Sequence, residues 1–258
     1  MTQHHQPEYN SGYYSGYYPA YAPPRRRRRR WPWVLLVIVL VLAGLFVAAD
    51  RIALKVAEGQ AATTLQNSQH LSQKPDVDIA GFPFLTQLAA GEFDKVTITA
   101  DDVVVGSGPT LQIDSVVADL HHVTVPRDLS QVRARTGTAV ARISYTELSR
   151  VLGTPVHAGS DGRLVAEPSV TVAGQTVRAT VSARVQASAT DGITFTDPEV
   201  TVASLTLPSS VSNAAAGVFG KAISLAKLPF DVEVTGVDVT DTALVLHLSG
   251  QNLVYSRS

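Results

Sequence analysis

Sixteen consecutive residues, Val34 to Ala49, carry no charge and almost no polarity, and six arginines, Arg25, Arg26, Arg27, Arg28, Arg29 and Arg30, stand just before them. With Trp31 and Trp33 included, Trp31–Ala49 is ~28 Å long as a helix at ~1.5 Å per residue, close to the ~30 Å hydrocarbon core of a bilayer. Indole rings favour the membrane interface, and arginines before a span favour the cytoplasmic side. Trp31, Trp33, Val34, Leu40 and Phe46 therefore read as membrane-anchor residues, and the arginine block as the topology signal. The expectation is a cell-membrane protein with a single pass, its N-terminus cytoplasmic and residues 50–258 extracytoplasmic. A second reading stays open, because Val47-Ala48-Ala49 resembles a signal-peptide cleavage site. The apolar core exceeds the ~7–15 residues usual for such a signal, which favours an uncleaved anchor. Residues 50–258 are exported in either case.

Charge divides along the same line. Residues 1–30 hold six arginines against Glu8, a net of +5, while the rest holds 15 Lys/Arg against 21 Asp/Glu, a net of −6. An acidic body argues against a general nucleic-acid partner. Zero cysteines exclude disulfides, thiolate metal sites and cysteine nucleophiles. Six of the eight tyrosines lie between Tyr9 and Tyr21 among Gly, Ser and Pro. That segment lacks the aliphatic residues needed to offset chain entropy and is expected to be disordered.

Past Asp50 the pattern predicts a helix to Gln73 with a loose stripe of Ile52, Val56 and Leu65, interrupted at Gly59, and then strands. Val177, Ala179, Val181, Ala183, Val185 and Ala187 alternate with polar residues, the signature of one long half-buried strand. Further strands are expected at Lys95–Ala100, Leu111–Val125, Val132–Ser144, Arg163–Val172, Ile193–Leu207, Val232–Val239 and Leu244–Leu248. Asp191-Gly192 signals a two-residue hairpin. Helices are expected at Phe84–Ala90 and Tyr145–Leu152, closed by Gly91 and Gly153, and at Ser209–Lys227. Strands that do not alternate with helices point to an α+β fold, with a long curved antiparallel sheet packed on a few helices around an apolar groove.

No nucleophile elbow, phosphate loop or dinucleotide fingerprint is present, so no catalytic residue is assigned. His121 and His122, adjacent in a strand, are expected on opposite faces, where they cannot share a metal. The acid pairs Asp76/Asp78, Asp101/Asp102 and Asp197/Glu199 read as turn or surface acids. No metal or cofactor is expected. Apolar chemistry is more prominent: Phe82, Phe84, Leu85 and Leu88, with Val218, Phe219 and Ile223, are the candidate lining of a lipid groove. The small residues of the Ala/Val strand either leave room for a ligand or let layers approach closely. Arg127, Arg133 and Arg135 cluster in an otherwise acidic body and are the headgroup candidates, since guanidinium groups suit phosphate.

The stretch Asp78-Ile79-Ala80-Gly81-Phe82-Pro83-Phe84-Leu85-Thr86-Gln87-Leu88, followed by Gly91-Glu92-Phe93-Asp94-Lys95-Val96, resembles the signature of the LmeA family of actinobacterial envelope proteins. Ala139–Leu148 and Leu228–Val237 resemble its later segments, and the resemblance covers roughly Asp50 to Ser249. It implies an extracytoplasmic phospholipid-binding protein, with anionic lipids such as phosphatidylinositol as ligands. In mycobacterial members it implies a link to lipomannan and lipoarabinomannan maturation. It supplies no residue-level ligand motif. The alternative is a non-catalytic envelope scaffold without a lipid ligand.

Overall fold

The computed structural model describes residues 12, 16, 30–105, 110–126, 131–172, 175–188, 192–201, 217–219, 223–224 and 232–256. The chain forms two compact units, Met1–Gly44 and Leu45–Ser258. Helix α1 (Trp31–Gln69) begins in the first and ends in the second. Its large apolar residues from Trp31 to Val47 are exposed, and one stretch reaches a mean hydropathy of 2.8, long and apolar enough to cross a membrane.

Within the second unit α1 meets the body through Asp50, Leu54, Glu58 and Ala62, spaced four apart on one face. This corrects the expected stripe: Ile52 and Val56 are 67% and 54% exposed, and Gly59 does not interrupt the helix. The reason is that two of the buried positions are carboxylates serving as backbone acceptors. Leu85 N–H donates to Asp50 Oδ1 at 2.8 Å and Ile79 N–H to Glu58 Oε1 at 3.1 Å. Lys55 neutralises Glu58 at 2.8 Å. Polar residues at contact positions are invisible to a hydrophobic pattern.

In chain order there follow β1 (Asp76–Ala80), α2 (Phe84–Ala90), β2 (Glu92–Val105), β3 (Leu111–Thr124), β4 (Gln131–Ser144), α3 (Tyr145–Leu152), β5 (Val156–Ala158), β6 (Arg163–Ala166), β7 (Ser169–Val172), β8 (Gln175–Arg178), β9 (Thr180–Ser188), β10 (Gly192–Thr201), β11 (Ile223–Ser224), β12 (Glu233–Val239) and β13 (Ala243–Ser256). The large sheet has the order β1-β2-β3-β4-β13-β12, and a second has β11-β10-β9-β6-β5. A separate hairpin pairs β7 with β8. All pairings described are antiparallel, giving the α+β class expected.

Helices α2 and α3 end at Gly91 and Gly153 in left-handed conformation, φ 72° and 71°. Gly91 is required twice over, because a Cβ there would also lie 2.6 Å from the Val125 carbonyl. Four expectations change. The run Arg163–Val172 divides at Glu167-Pro168, where proline has no N–H to donate. The Ala/Val run divides at Ala179, whose N–H donates to the Pro168 carbonyl at 2.9 Å. Gly192 belongs to β10 and pairs with Ser188 instead of standing in the hairpin turn, while Asp191 lies outside the described residues. Within Ser209–Lys227 the described residues form a 3-10 turn at Gly217–Phe219 and strand β11, paired to Gly192 and Ile193, so no helix runs through them. Sheet pairing overrides the helical period there, and the remaining residues of that run lie outside those described.

The main core lies between the two sheets. Ile143, Leu244 and Leu246 from the large sheet meet Leu164, Val181 and Ile193 from the second, with Leu148 of α3 at the side. Ala166, Ala179 and Ala183 are fully buried in this contact, so the small residues serve close approach of the layers. A smaller core gathers Leu54 of α1, Phe84 of α2 and the sheet residues Phe93, Val123, Ala134 and Leu253.

Candidate functional site

The inward alternation of the large sheet slips by one residue along a single row that crosses four strands. In β2 the core-facing residues are Phe93 and then Val96, in β3 Val123 and then Leu120, in β4 Ala134 and then Gly137. In β13 they are Leu253 and then, on the other parity, Leu248 and Leu246. The registers pass over the row between them: pairing skips Asp94/His122 between β2 and β3, His122/Arg135 between β3 and β4, and Arg135/Asn252 between β4 and β13. His122 and Asn252 carry the slip in left-handed backbone, φ 52° and 53°. Such irregularities bend strands and re-aim side chains. Here they are aligned, so the sheet creases.

The inner side of the crease is filled. A Cβ on Gly137 would lie 2.5 Å from Leu253 Cδ1 and 2.9 Å from Leu120 Cδ2, so the absence of a side chain lets these two leucines close over the row. The outer side is open. A cleft of about 420 Å³ is lined by Asp94, His122, Arg135 and Asn252 from the crease row, by Glu92, Thr124, Arg133 and Val254 two residues away along each strand, and by Phe93, Ala134 and Leu253 from the row between them. His121 and His122 are both off the core face, between Leu120 and Val123, which corrects their expected opposition.

Two of the three headgroup candidates therefore share this cleft. Arg133 and Arg135 are exposed. The Arg133 guanidinium donates to Gln131 Oε1 at 2.8 Å. Among the described residues neither arginine forms an ion pair, although Glu92 and Asp94 line the same walls. Guanidinium groups that keep free donors in a concave site can bind an oxyanion bidentately. Arg127 lies outside the described residues. Asp94, His122 and Asn252 were not among the site residues expected from the sequence.

The apolar candidates are not brought into one lining. Phe84 is buried in the smaller core, its ring centroid 6.1 Å from that of Phe93. Phe219 is buried in the main core, 4.9 Å from Phe195. Leu85 is half-buried, while Phe82 and Leu88 are 55% and 50% exposed. The side chains of Val218 and Ile223 lie outside the description.

The site sits at the end of the sheet where α2 docks. Gly91 closes α2, Glu92 opens β2, and Val125 N–H donates to the Gly91 carbonyl at 2.8 Å. α2 itself packs on the inner face through Phe84. The cleft and α2 thus occupy opposite faces of one sheet end.

Acids elsewhere are engaged in structure. Glu147 accepts the Arg150 guanidinium at 2.5 and 2.8 Å and the Gln112 N–H at 2.7 Å. The Arg150 pairing, with help from the Gln112 N–H, holds its carboxyl at about 2. Asp119 is held below the ordinary carboxylate range by the Thr97 hydroxyl and by Lys95. Asp197 and Glu199 face Arg184 and Arg163. Among the described residues, no group of three or more His, Asp or Glu is placed to hold a metal ion.

Residues 48–249 match the model of the family described as LmeA-like phospholipid-binding. The chain belongs to the LmeA family. No curated protein and no solved structure matches it. The LmeA match begins within the last turn of the apolar stretch of α1 and takes in α2, the second sheet and the large sheet as far as Ser249 of β13, so that Asn252 and Val254 of the cleft lie just past it.

Proposed function

We propose that this LmeA-family chain is a membrane-anchored, extracytoplasmic phospholipid-binding protein that receives an anionic headgroup in the crease cleft. In this reading residues 1–30 are a cytoplasmic tail, 31–49 the anchor and 50–258 the exported domain. The observation that carries the headgroup assignment is the convergence of Arg133 and Arg135, two residues apart on β4, on one concave site, without carboxylate partners among the described residues. Arg127, outside the described residues, is assigned to the same headgroup on its closeness in sequence to Arg133 and Arg135 alone. A cleft of about 420 Å³ suits a phosphorylated headgroup and not two acyl chains as well, so the chains lie outside it. Phosphatidylinositol, with its single phosphodiester and hydroxyl-rich ring, matches the mixture of arginine, carboxylate, His122 and Asn252. Binding, without catalysis, then serves envelope lipid or lipoglycan maturation by holding or moving the lipid.

The test is titration of the detergent-solubilised full chain with short-chain phosphatidylinositol and phosphatidylcholine. The wild type should prefer the anionic lipid, and Arg133→Glu with Arg135→Glu should lower that affinity by about tenfold or more, the scale of one or two lost charged hydrogen bonds. Equal affinity for both lipids, unchanged in the double variant, would remove the headgroup assignment. The second reading, an envelope scaffold without ligand, draws on the filled contact between the sheets and predicts no saturable lipid binding at all.

A further inference from the structure

The segment between β1 and β2 is tied to α1 at the point where its apolar stretch ends. Asp50, the first charged residue after that stretch, accepts the Leu85 N–H at 2.8 Å. The Arg51 guanidinium carbon lies over the Phe82 ring, 5.2 Å from its centroid. Between these two clamps the segment divides its apolar residues. Phe84 turns into the smaller core, while Phe82 and Leu88 stay half exposed.

An exposed phenylalanine alone needs no explanation. This one has a fixed height. Arg51 is two residues past Ala49, ~3 Å along the helix axis at ~1.5 Å per residue. If the apolar stretch spans the bilayer, the Arg51–Phe82 pair stands at its surface, within the ~5–10 Å layer where amphipathic groups partition. An arginine stacked on an aromatic ring suits that layer, with its charge among phosphates and its apolar body beneath them. Leu88 adds a second apolar contact from the same short helix.

We infer that Phe82 and Leu88 form a wedge that inserts into the headgroup–acyl boundary of the membrane in which α1 is anchored, with Arg51 on the lipid phosphates. The wedge fixes the sheet end bearing the Arg133/Arg135 cleft against the lipid surface. This rests on the anchored reading of α1.

The absence of cysteine permits unique labelling of the full chain. Leu40→Cys, Leu88→Cys and Ser160→Cys, each carrying an environment-sensitive fluorophore, are reconstituted in phosphatidylcholine–phosphatidylglycerol vesicles containing a lipid with a nitroxide near its ester carbonyls. Leu40 reports the span, Leu88 the wedge, and Ser160, exposed in the turn between β5 and β6, the distal body. The expected result is membrane-like emission at Leu40, membrane-like emission with quenching at Leu88 and neither at Ser160, with loss of Leu88 quenching when Phe82→Ser is added. Leu40, at mid-span and ~14 Å from the ester layer at ~1.5 Å per residue, is read by its emission and not by quenching. Membrane-like emission at Leu40 with a solvent-like, unquenched Leu88 label overturns the wedge and leaves the anchor standing. A solvent-like Leu40 label overturns both.

Discussion

The carboxylate of Asp50 caps α2 from a different helix: its Oδ1 accepts the Leu85 backbone N–H, which Pro83, at the N-cap position, has no side-chain acceptor to satisfy. The residue that ends the apolar stretch thus fixes the start of the α2 segment. Asp50→Ala should lower stability by about 1 kcal/mol, the usual scale of a lost cap. Limited proteolysis should show faster cleavage between Gly81 and Gly91 than in the wild type. Unchanged cleavage there would mean that α2 is held by Phe84 alone.

Acid sensitivity should trace in part to one latch. Glu147 is held at about 2 against an ordinary 4.5, first by Arg150 and then by the Gln112 N–H. A carboxyl depressed by folding contributes fully above its unfolded value, and that contribution is lost as pH falls through the folded one. Wild-type thermal stability should therefore decline between about pH 4.5 and pH 2 more steeply than that of Glu147→Gln. At neutral pH the same substitution should cost about 1–3 kcal/mol, toward the lower end because Arg150 is half exposed and screened. Parallel pH profiles for the two proteins would rule the latch out.

Close packing between the sheets has its own test. Ala183 is fully buried against the facing layer. Ala183→Leu should destabilise by about 1–3 kcal/mol through overpacking, read from thermal unfolding by circular dichroism. A neutral or stabilising outcome would show free space at that level, and with it room for an acyl chain.

Much of this architecture is legible in the sequence, because helix-ending glycines and alternating runs act locally. Gly91 and Gly153 close their helices where the pattern places them, and Val181 and Ala183 turn inward as alternation requires. The contact face of α1 is not legible, since Asp50 and Glu58 are buried for their acceptors and not for apolarity. The Ser209–Lys227 run misleads for a related reason: an apolar stretch with helical spacing also satisfies a strand such as β11 once a partner edge is present.

The crease is an intermediate case. Four segments share one apolar–polar–polar–apolar pattern: Phe93-Asp94-Lys95-Val96, Leu120-His121-His122-Val123, Ala134-Arg135-Thr136-Gly137 and Gly250-Gln251-Asn252-Leu253. Each is a local slip in period, visible along the chain. Only the register reveals that the four slips fall side by side. Arg133 and Arg135 were legible as a cationic cluster, whereas Asp94, His122 and Asn252 reach the cleft through strand pairing alone.

Native mass spectrometry of the full chain, purified in mild detergent from its own membranes, tests the central claim most directly. The account predicts a phospholipid adduct of anionic headgroup on the wild type, lost when Arg133→Glu and Arg135→Glu are combined. A lipid-free wild type, or an adduct retained undiminished by the double variant, would contradict it.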